Sequence, residues 1–281
     1  ALAAVDIQQA TAYSKQDKEQ IMAECKKFGI ADLNNAVRSH LQVWFANTAK
    51  AEVLEKDISG LSAVVACHRA GKMLSDLNNF ANAKCVLEKG EGMSLGVGPL
   101  SDLASYCLLV TETGGIFHEH GWVLHREKLY KDARVKYRSG FELIGEVRKK
   151  MESGDRHDTE EVKMALRKLD LMEAKLLRGD ARAIVGDDPF GVVDPSDLCN
   201  ALESYRRSLD HMLQHDKYSV DTGKVYTNLG LCCTLQGEYK TAKQYFDDGK
   251  HIYSQLNQLS LPPNMTRLYN LGCMLKKSKD A

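Results

Sequence analysis

The sequence predicts an all-α protein made of stacked helical hairpins, and three observations predict it. A spaced pattern occurs three times: glycine, an aromatic nine residues on, alanine at twelve, a bulky apolar residue at sixteen and glycine at nineteen. The copies are Gly71, Phe80, Ala83, Leu87, Gly90; Gly121, Tyr130, Ala133, Tyr137, Gly140; and Gly230, Tyr239, Ala242, Phe246, Gly249. Such self-similarity marks supersecondary units that stack to share one continuous core. Second, apolar residues recur at helical spacing, as in Val64, Cys67, Ala70, Gly71 and Leu74 or Val225, Leu229, Cys232 and Cys233, and no alternating strand pattern stands out. Third, glycine inside a helix costs about 1 kcal/mol relative to alanine. Six glycines at recurrent places therefore need a compensating gain. Close approach of two helix axes supplies it, with glycine on the first helix facing alanine on the second.

The units follow in chain order. Residues 16–57 read as a degenerate N-terminal unit, because Leu33, Ala36, His40 and Val43 match half of the pattern while Glu24 stands where glycine is expected. Residues 60–90 hold the first clear repeat, with a polar turn at 76–79 just before its aromatic. The glycine-rich run 90–98 follows a helix, whereas a dinucleotide loop must follow a strand, so it reads as a connector. Residues 102–150 form the second repeat, turning at 126–129. Residues 158–216 are irregular. An amphipathic stretch with Val162, Leu166, Leu169, Met172 and Leu176 precedes a helix with Leu198, Ala201, Tyr205 and Ser208, and an inserted loop at 186–197 carries Pro189 and Pro195. No small residue of the first helix has the right offset from Ala201. Residues 220–258 form the third clear repeat, turning at 236–238. Residues 264–281 form a terminal helix in which Gly272 follows Gly230 by 42 residues.

Composition narrows the function. Lys and Arg total 38, as do Asp and Glu, so no global field draws nucleic acid or anionic lipid. The longest apolar stretch, 103–110, is far short of the roughly 20 residues of a membrane span, so no membrane insertion is expected. The opening Ala-Leu-Ala-Ala lacks the cationic and apolar segments of a secretion signal. Eight cysteines are scattered without a C-x-x-C pair, which suits reduced thiols and a cytoplasmic location.

The spacing resembles the tetratricopeptide repeat, whose first helix carries the small residue and whose second carries the alanine and aromatic found here. The resemblance covers roughly residues 16–281. Its usual period is about 34 residues, and the longer unit here is similar to those of kinesin light chain and the LGN-type polarity adaptors. The resemblance implies a right-handed α-solenoid whose first helices line a concave groove. It implies a non-catalytic scaffold that binds a protein or peptide segment in that groove, without a cofactor. Residues of the first helices implied to face the groove include His68, Arg69 and Lys72, then His118, Glu119, Trp122 and His125. Lys224, Thr227, Asn228, Leu231 and Thr234 follow, then Tyr269, Asn270 and Lys276. Among them the predicted partner-binding set is Arg69, Lys72, His118, Trp122, Lys224, Asn228, Leu231 and Asn270. Asn228 and Asn270 stand out because a carboxamide donates to a peptide carbonyl and accepts from a peptide N–H at once. Arg69, Lys72 and Lys224 suit an acidic or carboxylate-bearing ligand, and Trp122 reads either as an anchor for an apolar side chain or as a core-packing residue. Two alternatives stand beside this reading. One is a structural subunit of a large cytoskeletal or ciliary (axonemal) assembly, a setting common for related long-repeat proteins. The other is a regulatory repeat domain of a larger protein.

Other constellations read as structural. On a helix, His118 and His120 diverge by about 200° and cannot grip one metal ion. Asp187, Asp188, Asp194 and Asp197 lack the ligand order of a calcium loop. No nucleophile, base and orienting acid fall into one local pattern, so no catalytic residue is assigned and the protein is not expected to be an enzyme.

Overall fold

The recurrent turns decide where the helices end. Asn78, Lys128 and Gly237, each seven residues past a repeat glycine, adopt left-handed backbone with φ of 57°, 63° and 80°. The following amides close the helix ends: Asn79 N–H donates to Leu74 O, Leu129 to Leu124 and Glu238 to Cys233, each at 2.9 Å. Together with the bonds from Asn78 to Ser75, Lys128 to His125 and Gly237 to Thr234, these are Schellman caps, which turn the chain back and satisfy terminal carbonyls. The next helix starts in all three cases at the repeat's aromatic, Phe80, Tyr130 or Tyr239.

The computed structural model describes residues 15–55, 58–97, 103–153, 159–186, 192–257 and 262–280, and every regular element among them is an α-helix. In order these are α1 (Lys15–Phe28), α2 (Ile30–Leu54), α3 (Gly60–Asp76), α4 (Phe80–Gly96), α5 (Leu103–Arg126), α6 (Tyr130–Ser153), α7 (Glu160–Val185), α8 (Pro195–His215), α9 (Val220–Leu235), α10 (Tyr239–Gln255) and α11 (Pro262–Asp280). Helices pack pairwise as α3–α4, α5–α6, α7–α8 and α9–α10. Each second helix also touches the next first helix, and the first helices form a row in which α5 touches α3 and α7, and α9 touches α7 and α11.

The repeat glycines sit at the crossings. A methyl built on Gly121 would stand 2.7 Å from the ring of Tyr137, and one on Gly230 would stand 2.6 Å from that of Phe246. One on Gly71 would collide with Leu87. Bulky position sixteen therefore covers glycine position zero within each hairpin, while Ala83, Ala133 and Ala242 have no solvent exposure. The second glycine joins one hairpin to the next. A methyl on Gly90 would lie 2.7 Å from both Cys67 Cβ and Ile116 Cδ1, and one on Gly140 would lie 2.7 Å from Leu176.

The irregular unit obeys the same geometry through Ala181. Gly90 and Gly140 meet Ile116 and Leu176, residues that stand five before Gly121 and five before Ala181. Ser208 Oγ donates to Ala174 O at 2.7 Å, seven residues before Ala181, as Gly249 approaches Gly223 O, seven before Gly230. Ala181, fully buried, shares a core cluster with Ala201 and Tyr205. A small residue does answer Ala201, twenty residues upstream rather than twelve, because the inserted loop lengthens the interval.

Several expectations are corrected. The glycine run starting at Gly90 is no connector up to Gly96, because α4 continues through that residue. The inserted loop ends at Asp194, which caps α8 through its side chain on Ser196 N, with Pro195 at the first helical position where its missing N–H costs nothing. Asp187 and Asp188 lie outside the described residues. In α2, Ala36 and Val43 are exposed while Ala46 and Val53 are buried, so the half match there does not mark the packing face. All eight cysteines are free thiols.

Candidate partner-binding face

Successive first helices bring charged side chains together from distant parts of the chain. On α9, Asp221 accepts from Arg178 Nη1 of α7 at 2.7 Å and from Lys224 Nζ at 3.0 Å. On α5, Glu119 takes His118 Nδ1 at 3.2 Å and Lys72 Nζ of α3 at 3.9 Å. The two groups share a field, since Lys72 is stabilised as a cation by Asp221 as well as by Glu119 and Asp76, against the opposing effect of burial. His68 of α3 reaches Glu112 of α5 at 2.7 Å.

Their ionisation follows from this company. The Arg178 guanidinium holds the Asp221 carboxyl far below the usual carboxylate range, overcoming burial. Burial opposes ionisation of Glu119, but the His118 hydrogen bond and the Lys72 charge outweigh it and hold its pKa low. Burial pushes His118 down towards the neutral imidazole, which still donates one N–H. Lys224 is also pushed down, by burial first and then by the Arg178 charge.

Trp122 is half-buried on α5 and forms the apolar part of this face. It stacks on His125 at 5.7 Å between centroids, and Arg182 of α7 lies 4.8 Å over its ring, with Arg126 at 5.6 Å. Lys72, Trp122 and Arg182 all follow a crossing residue directly, namely Gly71, Gly121 and Ala181, so one register carries a stripe across three first helices.

The predicted binding residues separate into two groups. Arg69 and Lys72 are exposed, and His118, Trp122, Lys224 and Asn228 are half-buried. Lys72, His118 and Lys224 belong to the charged group described above, and the Arg69 cation acts on Glu112. Leu231 is 7% exposed and lies in the core cluster with Leu229, Cys232 and Met274, so it is packing rather than contact surface. Asn270 is 5% exposed, so it is buried rather than open to a ligand. The pair of asparagines therefore does not form two equally open clamps. Of the other first-helix positions, Thr227 and Thr234 are buried and return their hydroxyls to Gly223 O and Gly230 O.

Sequence reasoning missed Arg178, Asp221 and Arg182. Alignment of Ala181 with the repeat glycines would have found the first and last, since Arg178 then matches His68 and His118, and Arg182 matches Lys72 and Trp122.

A second polar region lies between α6, α7 and α8, where a cleft of about 350 Å³ is lined by Arg138, Phe141, Arg148, Glu173, Asp180 and Arg207 among others. Arg148 bridges Asp170 at 2.6 Å and Glu173 at 2.5 Å, and Arg134 holds Asp180 at 3.1 Å. Its carboxylates are already paired, which suits cross-bracing of three helices. Among the described residues no cluster of His, Cys, Asp or Glu could hold a metal ion, and no helix is long and apolar enough to cross a membrane.

Along the first-helix face, Arg69, Lys72, Lys175, Arg178, Arg182 and Lys224 stand against Asp76, Glu112, Glu119 and Asp221. The excess is cationic, with an aromatic surface beside it. Comparison with protein-family models and with curated proteins finds no match to this chain.

Proposed function

We propose that the protein is a non-catalytic binding scaffold, a right-handed α-solenoid of tetratricopeptide-like hairpins whose first helices hold an acidic partner segment. The observation that supports it most is the convergence of Lys72, Arg178 and Lys224 from α3, α7 and α9 on one face, beside Trp122. Cations on a partly dehydrated surface favour carboxylates, and an aromatic face takes an adjoining apolar side chain. Arg178 keeps only 11% of its side chain in water against Asp221. Lys72 and Lys224, although paired with Glu119 and Asp221, keep 54% and 40% of theirs and can exchange those partners for a ligand carboxylate, beside the exposed Arg69. Cytoplasm is the proposed location.

Binding of an arrayed library of acidic peptides tests this reading. Lys72→Ala with Lys224→Ala weakens the best binders about tenfold, the scale of one or two charge-assisted contacts. Unchanged affinity would remove the face from the account.

Exposed apolar side chains at both ends favour a second reading, a structural subunit of a cytoskeletal or ciliary assembly. Val43 and Trp44 of α2 are 61% and 57% exposed, and Met265, Leu268 and Leu275 of α11 are 56%, 44% and 46% exposed. Such faces are contact surfaces more often than solvent surfaces.

A further inference from the structure

The arginines of the cleft between α6, α7 and α8 stand in two tiers. The floor is α7, where Glu173, Leu177 and Asp180 share one face at helical spacing. The walls are second helices, with Arg138, Phe141 and Arg148 from α6 and Ser204 and Arg207 from α8. Each carboxylate of the floor already has a close partner. Arg148 Nη2 holds Glu173 at 2.5 Å, and Arg134 Nε holds Asp180 at 3.1 Å. Two further guanidiniums stand farther out. Arg138 Nε lies 4.0 Å from Asp180, beyond hydrogen-bond range, and Arg207 Nη2 lies 3.4 Å from Glu173.

Exposure follows the same division. The side chains of Glu173 and Asp180 are 11% and 12% exposed, whereas those of Arg138 and Arg207 are 59% and 56% exposed. The inner pairs brace the helices, and the outer guanidiniums stand in water on opposite walls. Charge is not balanced there: Arg134, Arg138, Arg148 and Arg207 stand against Asp170, Glu173 and Asp180, leaving one cation in excess. Between the charges the surface is apolar, made by half-buried Phe141 with Ile144 and Leu177 beneath it. The space is open, because a methyl built on Gly145 in this lining would meet nothing within 4 Å.

We propose that the cleft binds a phosphate monoester carried on an aromatic ring, either a phosphorylated tyrosine of a partner or a small aryl phosphate. Each outer guanidinium offers a planar fork to two oxygens, and the forks come from opposite walls. Two forks and the Ser204 hydroxyl exceed what the two oxygens of one carboxylate can satisfy. A phosphoryl group presents three strong acceptor oxygens and a charge near −2, so it answers both arginines and the hydroxyl together. The ring it carries lies on Phe141 and Leu177. A volume of about 350 Å³ suits one such group.

The site is independent of the first-helix face. On α7, Asp180 diverges by about 200° from Arg178 and from Arg182, so the cleft and that face lie on different sides of the helix. A ligand here also joins α6 of one hairpin to α8 of the next, and its binding should raise the melting temperature.

Fluorescence anisotropy tests the proposal with a fluorescein-labelled pentapeptide of four glycines around one phosphotyrosine. Saturable binding is expected, at least about tenfold tighter than that of the same peptide with unmodified tyrosine. Arg138→Lys with Arg207→Lys keeps both charges but removes both forks, and weakens binding at least about tenfold. Both side chains are exposed, so circular dichroism and melting of the free variant should match the parent, which separates lost binding from lost fold. Competition identifies the source. Phenyl phosphate that displaces the probe as well as the unlabelled phosphopeptide does marks a small aryl phosphate, and weaker displacement marks a phosphorylated protein segment. Absence of saturable binding, equal binding of the two peptides, or indifference to the paired arginine change would overturn the proposal. So would displacement by inorganic phosphate as effective as that by phenyl phosphate, since the ring would then contribute nothing. Loss of binding in Lys72→Ala with Lys224→Ala would overturn it as well, by moving the ligand to the first-helix face.

Discussion

Tyr137 lies across Gly121 so closely that a methyl group on the glycine would stand 2.7 Å from its ring, and the same ring fills the space beside Gly179 of α7. One side chain thus closes its own hairpin and meets the next. Gly121→Ala forces this ring, which is 2% exposed, to move within a filled core. Overpacking of this kind costs about 1–3 kcal/mol. Gly272→Ala, with open space around it, gains up to about 1 kcal/mol from helix propensity alone. Urea denaturation of the two variants should move the midpoint in opposite directions.

The hairpins were legible because their signal is local. Gly71 and Leu87, or Gly230 and Phe246, are sixteen residues apart and meet in every clear copy. Ala181 was not legible, because nothing in its neighbourhood shows that the loop before Ala201 displaces the second helix. The binding face was legible only in part. Lys72, His118, Trp122 and Lys224 follow from helix phase, whereas the Arg178–Asp221 pair joins residues 43 apart and depends on how neighbouring hairpins stack. Leu231 and Asn270 show the limit of phase. Leu231 follows the crossing Gly230 and Asn270 stands two before the exposed Gly272, yet the packing of α9 against α11 decides that both are buried.

Ala181→Leu tests the register of the irregular unit. A larger side chain at a fully buried crossing displaces α8 and lowers stability by about 1–3 kcal/mol. Met164→Leu on the same helix, where the side chain is 58% exposed, leaves the melting temperature nearly unchanged.

Lys128 holds a left-handed conformation, φ 63°, at the position where the third repeat has Gly237. Such a backbone costs a non-glycine residue roughly 1–2 kcal/mol, partly offset in a glycine variant by its freer unfolded chain. Lys128→Gly should therefore stabilise by about 0.5–1 kcal/mol, and Gly237→Ala should destabilise by about 1 kcal/mol. Parallel thermal melts of the two variants check the opposed signs.

Asp221 links stability to pH. Its folded-state pKa is depressed by Arg178, so its contribution is fully present above the unfolded value of about 3.9 and is lost as pH falls through the lower folded value. Asp221→Asn leaves the Arg178 guanidinium, with 11% side-chain exposure, without its partner and costs about 3 kcal/mol at pH 7. The deficit should shrink below pH 4. Denaturation curves from pH 2 to 7 would show this convergence, and a constant gap would argue against the linkage.

A double-mutant cycle on Gly230 and Phe246 tests the close crossings most directly. Gly230→Ala alone clashes with the ring and Phe246→Ala alone leaves a cavity, but in the double variant the added methyl enters the vacated space. The account predicts a double variant more stable than the sum of the single losses by at least about 1 kcal/mol. Losses that add to within about 0.5 kcal/mol would show that the two residues do not share a crossing.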